Sequence, residues 1–137
     1  MEAYKAPGRY HLTVEEAEQT AYLAQSLETC ISEVSHHLGG TVRLRNRFSI
    51  EFDVEVERVV DLTTTKELKR LKIGMQDLID DQDYSLTQEI ARRLRRGKVQ
   101  ALIVPSARDP QGKNVVLFLE NIDRRKAIRK IFERKIE

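Results

Sequence analysis

Three stretches of this 137-residue chain predict an α+β fold, a mixed sheet with flanking helices. Phe48, Ile50, Phe52, Val54 and Val56 alternate with Ser49, Glu51, Asp53 and Glu55, the period-2 pattern of a half-buried strand. "SLTQEIARRLRRG" (85–97) repeats Leu86, Ile90 and Leu94 at helical spacing. "ALIVPSARDPQGKNVVLF" (101–118) sets two apolar runs around a polar loop. The order strand, helix, strand, helices, strand, strand, helix belongs to a mixed α+β domain.

In chain order, Met1–Gly8 is polar, and Pro7-Gly8 marks a turn. "QTAYLA" (19–24) reads as a short strand. Ser26 follows as an N-cap, because its hydroxyl accepts an orphan amide hydrogen of the first helical turn. Leu27, Cys30, Ile31, Val34 and Leu38 then form a helical stripe, and Gly39-Gly40 ends it. After the alternating strand, 63–71 and 75–79 read as short helices. Ser85 and Gln88 make a capping-box pair for the next helix, and Gly97 stops it. Ala101–Val104 and Val115–Phe118 are strands, the first closed by Pro105. Residues 122–136 read as a charged helical tail.

The length suits a single domain, 1–137. With 24 Lys+Arg against 22 Asp+Glu, the net charge is +2, so no global field argues for nucleic acid or an anionic membrane. One cysteine excludes an internal disulfide. No apolar segment resembles a signal peptide or reaches membrane length, so a cytoplasmic location is expected. Glycine-rich phosphate loops and the serine-hydrolase elbow are absent. His36 and His37 are adjacent on a helix and make a poor metal pair, so no metal site is expected. Cys30 falls on the apolar stripe and reads as core.

Four local features carry candidate chemistry. Arg9, in "PGRYH", offers a planar fork to phosphate, although spacing alone favours a surface arginine beside a half-buried Tyr10. Tyr22 lies on a strand, and Glu33 lies on the flank of the following helix, where a carboxylate leans over strand ends or is an ordinary boundary residue. Ser106 sits just past Pro105, where a hydroxyl binds a ligand or caps its own turn; Gly112 and Asn114 share that loop and its return. Arg92, Arg93, Arg95, Arg96 and Lys98, with the cations of 124–135, form basic clusters of the kind that usually face solvent.

Taken in order, Gly8-Arg9-Tyr10, Tyr22-Leu23-Ala24, a helix with Glu33 and "VPSARDPQGKNVVLF" resemble the RES domain family, named for an Arg, a Glu and a Ser. The resemblance continues through "VEVERVVDLT" and "LKIGMQDLIDDQDYSLTQEIARRL" and is strongest over 7–121, with 122–137 as the tail. It implies a small ADP-ribosyltransferase-like fold and the toxin half of a bacterial toxin–antitoxin pair. NAD would be the substrate, with no further cofactor. The nicotinamide–ribose bond would be cleaved with phosphate or water as acceptor. The implied protein partner is a cognate antitoxin with a DNA-binding region, with no direct nucleic-acid or membrane contact.

The resemblance places the catalytic set on Arg9, Glu33 and Ser106. Arg9 would grip the pyrophosphate, and Tyr10 or Tyr22 would stack on nicotinamide. Glu33 would stabilise an oxocarbenium-like ribose. Ser106 would hold the nicotinamide amide or a phosphate oxygen, and Asn114 would support the loop or touch ligand. Family members usually have a Gly- and Pro-rich loop where this chain has "HLTVEEAEQT", whose Glu15, Glu16 and Glu18 would repel phosphate if they faced the cleft. Two other readings share these residues: a protein ADP-ribosyltransferase, and a non-catalytic binding module using the basic helices.

Overall fold

The computed structural model describes residues 8–37 and 47–136. The order is α1 (Val14–Glu18), β1 (Thr20–Ala24), α2 (Leu27–His37), β2 (Arg47–Val54), β3 (Val59–Asp61), α3 (Thr65–Leu71), α4 (Met75–Ile79) and α5 (Ser85–Arg96). β4 (Ala101–Pro105), β5 (Lys113–Phe118), α6 (Arg124–Ala127) and β6 (Ile128–Ile136) follow. This is the expected mixed sheet with flanking helices. Pro7, Leu38 and Gly39-Gly40 lie outside the described residues, as do the side chains of Val34, His36, His37 and Phe48.

The central sheet runs β1-β5-β4-β3. β5 is antiparallel to both β1 and β4, and β3 is parallel to β4. The carboxyl ends of β1, β3 and β4 therefore meet the amino end of β5 at one end of the sheet. β4 and β5 are covered on both faces, which is why their sequences are continuous apolar runs. Leu102, Val104, Val116 and Phe118 face Leu62, Leu68, Leu78, Ala91 and Val99 in one core. Each Leu, Val or Phe among them contributes about 1.5–3 kcal/mol by leaving water. Ala101 and Leu117 face the other way, toward Ile122, Val54 and Ile128.

Five expectations are corrected. The buried stripe of α5 is Thr87, Ala91 and Arg95; Leu86 is exposed, while Ile90 and Leu94 only flank the core. The reason is a polar task. All four carbonyls of Gly8–His11 accept hydrogen bonds from α5 side chains. Gln88 Nε2 donates to Gly8 at 2.8 Å and His11 at 3.3 Å, Thr87 to Arg9 at 2.5 Å, and Arg95 to Tyr10 at 3.4 Å. Gln88 is thus drawn away from the expected capping box; Ser85 bonds Asp83 instead, and Tyr84 is the N-cap. Gly97 does stop α5, as its C-cap, and the left-handed residue is the next one, Lys98, at φ 62°.

α2 has its N-cap at Ser26, whose Oγ accepts from the Thr29 amide at 3.1 Å. It buries Thr29, however, and leaves Cys30 exposed. β2 is not half-buried, since Ile50 and Phe52 are 46% and 41% exposed. Alternation gave it two distinct faces without supplying a cover. The tail is a strand. After the single turn of α6, β6 pairs antiparallel with β2 along its whole length, with a bulge opposite Glu51/Phe52. Two dense charge sets on either side of Ile131-Phe132 disguised this strand as a solvated helix.

Candidate functional site

The carboxyl end of the sheet gathers residues from three elements. Pro105 ends β4 and leaves Ser106 facing the helix-covered side of the sheet, the same side as Asn114 at the start of β5. Glu33 comes from the second turn of α2. Its Oε1 accepts the Ser106 hydroxyl at 2.6 Å and the Asn114 amide at 2.8 Å. Residues 33, 106 and 114 therefore meet at one oxygen. No donor among the described residues reaches Glu33 Oε2. Asn114 Oδ1 is buried and also lacks a partner there.

The Ser106 loop is built to hold this arrangement. Ser106 Oγ accepts the amides of Arg108 and Asp109, each at 3.1 Å, while it donates to Glu33. The Ser106 amide donates to Gly112 O, and the Gly112 amide to Asp109 O. Thr29 donates to Asp109 Oδ2 at 2.8 Å and accepts from Ser26 at 2.9 Å, tying α2 to the loop. A Cβ at Gly112 would sit 2.3 Å from Thr29 Oγ1, so glycine is required there for contact. The polar loop thus serves a carboxylate.

Arg9 stands one link away. Its Nη1 donates to the carbonyls of Leu78 at 2.9 Å and Asp80 at 2.6 Å, and its Nη2 to Asp81 at 2.9 Å. Its guanidinium lies over the Tyr84 ring. Arg108 donates to the same Asp81 oxygen. The connected path is Glu33, Ser106, the Ser106–Arg108 turn, Asp81 and Arg9. Arg9 and Arg108 converge on one carboxylate beside the Glu33 cluster, and Arg9's fork is engaged by the 78–81 turn.

The two tyrosines separate. Tyr10 is 2% exposed and lies in the core, so its ring offers no face for stacking, a correction to the expected role. The flanking Gly8–His11 carbonyls, clamped by α5, turn its side chain inward. Tyr22 is 40% exposed, and its hydroxyl is held by two hydrogen bonds. That hydroxyl accepts from the Tyr10 amide at 3.3 Å and shares a 2.7 Å hydrogen bond with His11 Nδ1. Burial pushes the Tyr22 phenol well above its ordinary pKa, against the Tyr10 amide bond and the nearby Arg95 and Arg9 charges. It stays protonated at neutral pH.

Of the acidic segment, Glu16 faces elsewhere. Glu16 closes a capping box with Thr13 and pairs with Arg92 at 3.0 Å, on the α5 side. A cleft of about 410 Å³ lies there too, lined by Leu12, Gln88, Glu89, Arg92, Arg93 and Arg96. Arg92 and Arg93 are paired with Glu16 and Glu89, and none of Glu33, Ser106 or Asn114 borders it. The convergence of buried polar groups makes the Glu33 cluster the candidate site instead. Reading the sequence missed Arg108, Asp81, Thr29 and Asp109. Arg108 lay in the singled-out loop, but nothing in "DD" (80–81) signals that one aspartate gathers two arginines.

No helix among the described residues is long and apolar enough to cross a membrane. A sequence search of the curated proteins finds no match. Among solved structures, the chain is similar to one in the crystal structure of the M. tuberculosis MbcT–MbcA toxin–antitoxin complex. The TM-score is 0.78, with 21% identity over 98% of this chain and 74% of that one. At that identity the likeness establishes the fold. The sequence profile of the RES domain matches residues 1–135, nearly the whole length, a range that includes Arg9, Glu33 and Ser106: the chain belongs to the RES domain family.

Proposed function

We propose that this protein is an NAD-consuming enzyme, the toxin of a bacterial toxin–antitoxin pair acting in the cytoplasm. The observation that carries the reading is Glu33, anchored at one oxygen by Ser106 and Asn114, with no donor among the described residues at the other. The bond from ribose C1′ to the nicotinamide nitrogen breaks, and the electron pair leaves with nicotinamide. Positive charge develops at C1′, and the free oxygen of Glu33 stabilises it and accepts a ribose hydroxyl. A phosphate or water oxygen then bonds to C1′ and gives up a proton to solvent. NAD is the substrate, and the chemistry calls for no further cofactor or metal.

Ser106 is a positioning residue in this scheme, with its hydrogen and lone pairs committed to Glu33 and two amides. The unpartnered Asn114 Oδ1 supplies an acceptor for a ligand N–H or O–H, such as the nicotinamide amide. Tyr22 presents the ring face for stacking. The pyrophosphate replaces the Asp81 carboxylate between Arg9 and Arg108, trading one charge-assisted partner for another. The protein partner is an antitoxin that covers this end of the sheet; the similar fold was itself solved in such a complex.

The test is incubation of the purified chain with NAD, with and without phosphate, following nicotinamide release and product mass. The expected result is release with ADP-ribose or its 1″-phosphate as product. Label carried to a protein would replace the acceptor with a side chain. No release from folded protein, together with salt-sensitive nucleic-acid binding, would favour the binding module.

A further inference from the structure

Among the described residues β2 pairs along one edge alone, with β6, in a two-stranded ribbon separate from the main sheet. Such a ribbon is marginal in isolation, and an open edge is a template for another strand. Ile50 and Phe52 share one face and stand exposed there, continuous with Val54 at the ribbon's base. Phe132, on the opposite face, has the Arg134 guanidinium 5.9 Å from its ring centroid and is itself 47% exposed.

The sequence of this strand reads the same way chemically in both directions. In Arg47-Phe48-Ser49-Ile50-Glu51-Phe52-Asp53, a cation mirrors an anion, an aromatic mirrors an aromatic, and Ile50 is the centre. We propose that β2 is a self-association edge. Two copies join β2 to β2 antiparallel across a twofold axis at Ile50, giving one four-stranded sheet. Ile50 then opposes Ile50, and position 48 opposes Phe52, all on the apolar face. Position 47 opposes Asp53, and Ser49 opposes Glu51, on the other. A centre moved to Glu51 sets two carboxylates against each other, so the register is specified. The β6 edge does not serve: Arg129, Lys130, Arg134 and Lys135 outnumber Glu133, and self-pairing there would oppose cations. Nothing in this pairing depends on the NAD reading.

The test is sedimentation equilibrium of the full chain across micromolar concentrations. A concentration-dependent dimer is expected, and Ile50→Lys abolishes it. Arg47→Asp and Asp53→Arg, each alone, weaken it about tenfold, because each puts like charges opposite at two symmetric positions. Mixing those two variants restores association, since 47 and 53 are complementary again across the mixed interface. Asp53 also contacts Arg129 within its own ribbon at 3.4 Å. Mixing does not repair that contact, so recovery reports on the interface itself. A wild-type monomer throughout, a dimer indifferent to Ile50→Lys, or folded single variants that fail to recover on mixing would each overturn the proposal. So would association of this edge only with a protein of different sequence.

Discussion

Asp81 is the residue on which the site's charge balance turns. Its carboxylate holds the guanidiniums of Arg9 and Arg108 together, and in the proposed NAD reading a dinucleotide's phosphates would compete with it. Asp81→Asn removes that competing charge while keeping an acceptor. The expected outcome is a several-fold lower KM for NAD with kcat little changed. A raised KM would mean that Asp81 positions the arginines rather than holding their ligand place. Gly112 marks the opposite extreme, a residue with no freedom to change. A methyl group there meets Thr29 Oγ1 and Asp109 Oδ2 at 2.3 and 2.8 Å, groups that tie α2 to the Ser106 loop. Gly112→Ala is expected to cost about 1–3 kcal/mol in urea unfolding. Unchanged stability would show that the loop has slack. Both residues lay in or near stretches the sequence made conspicuous. Their roles did not, because they depend on contacts across 27 and more residues of chain.

At the level of elements, the sequence exposed periodicity faithfully but not what each face would meet. β4 and β5 were legible because a strand buried on both sides is apolar throughout. α5 was legible as a helix, yet its inward stripe was misassigned, because Thr87, Gln88 and Arg95 serve the backbone of residues 8–11. β6 was missed because half of its residues are charged and its partner lies some 80 positions away. α1 offers a quantitative check. Burial opposes ionisation of Glu16, but the Leu12 and Thr13 amides and Arg92 outweigh it and hold the carboxyl below its ordinary pKa. With a folded pKa below the unfolded one, Glu16 contributes stability at neutral pH that is lost as acid drives the pH down through the folded value. Glu16→Gln should therefore lower stability at pH 7 and flatten its fall toward acid pH in thermal melts. Parallel curves for the two proteins would mean that the cap carries no charge-linked stability.

Across the whole molecule, the near balance of charge leaves recognition to local clusters, and the fold sorts these by place. The carboxyl end of the sheet collects Glu33, Ser106, Asn114 and the Arg9–Asp81–Arg108 bridge. The ribbon of β2 and β6 leans on the opposite face of the sheet. The three signature residues were readable as a set because their order in the chain is specific. Their meeting depends on strand directions and on a helix packed over strand ends, which no local pattern encodes. The most direct test of the account is steady-state NAD turnover by wild type and Glu33→Gln, with fold monitored by circular dichroism. An amide at position 33 keeps the shape but not the charge that answers the developing cation. The expected loss in kcat is about 10²-fold or more, with KM within a few-fold of wild type. Wild-type turnover by the folded variant, or a loss confined to KM, would contradict it.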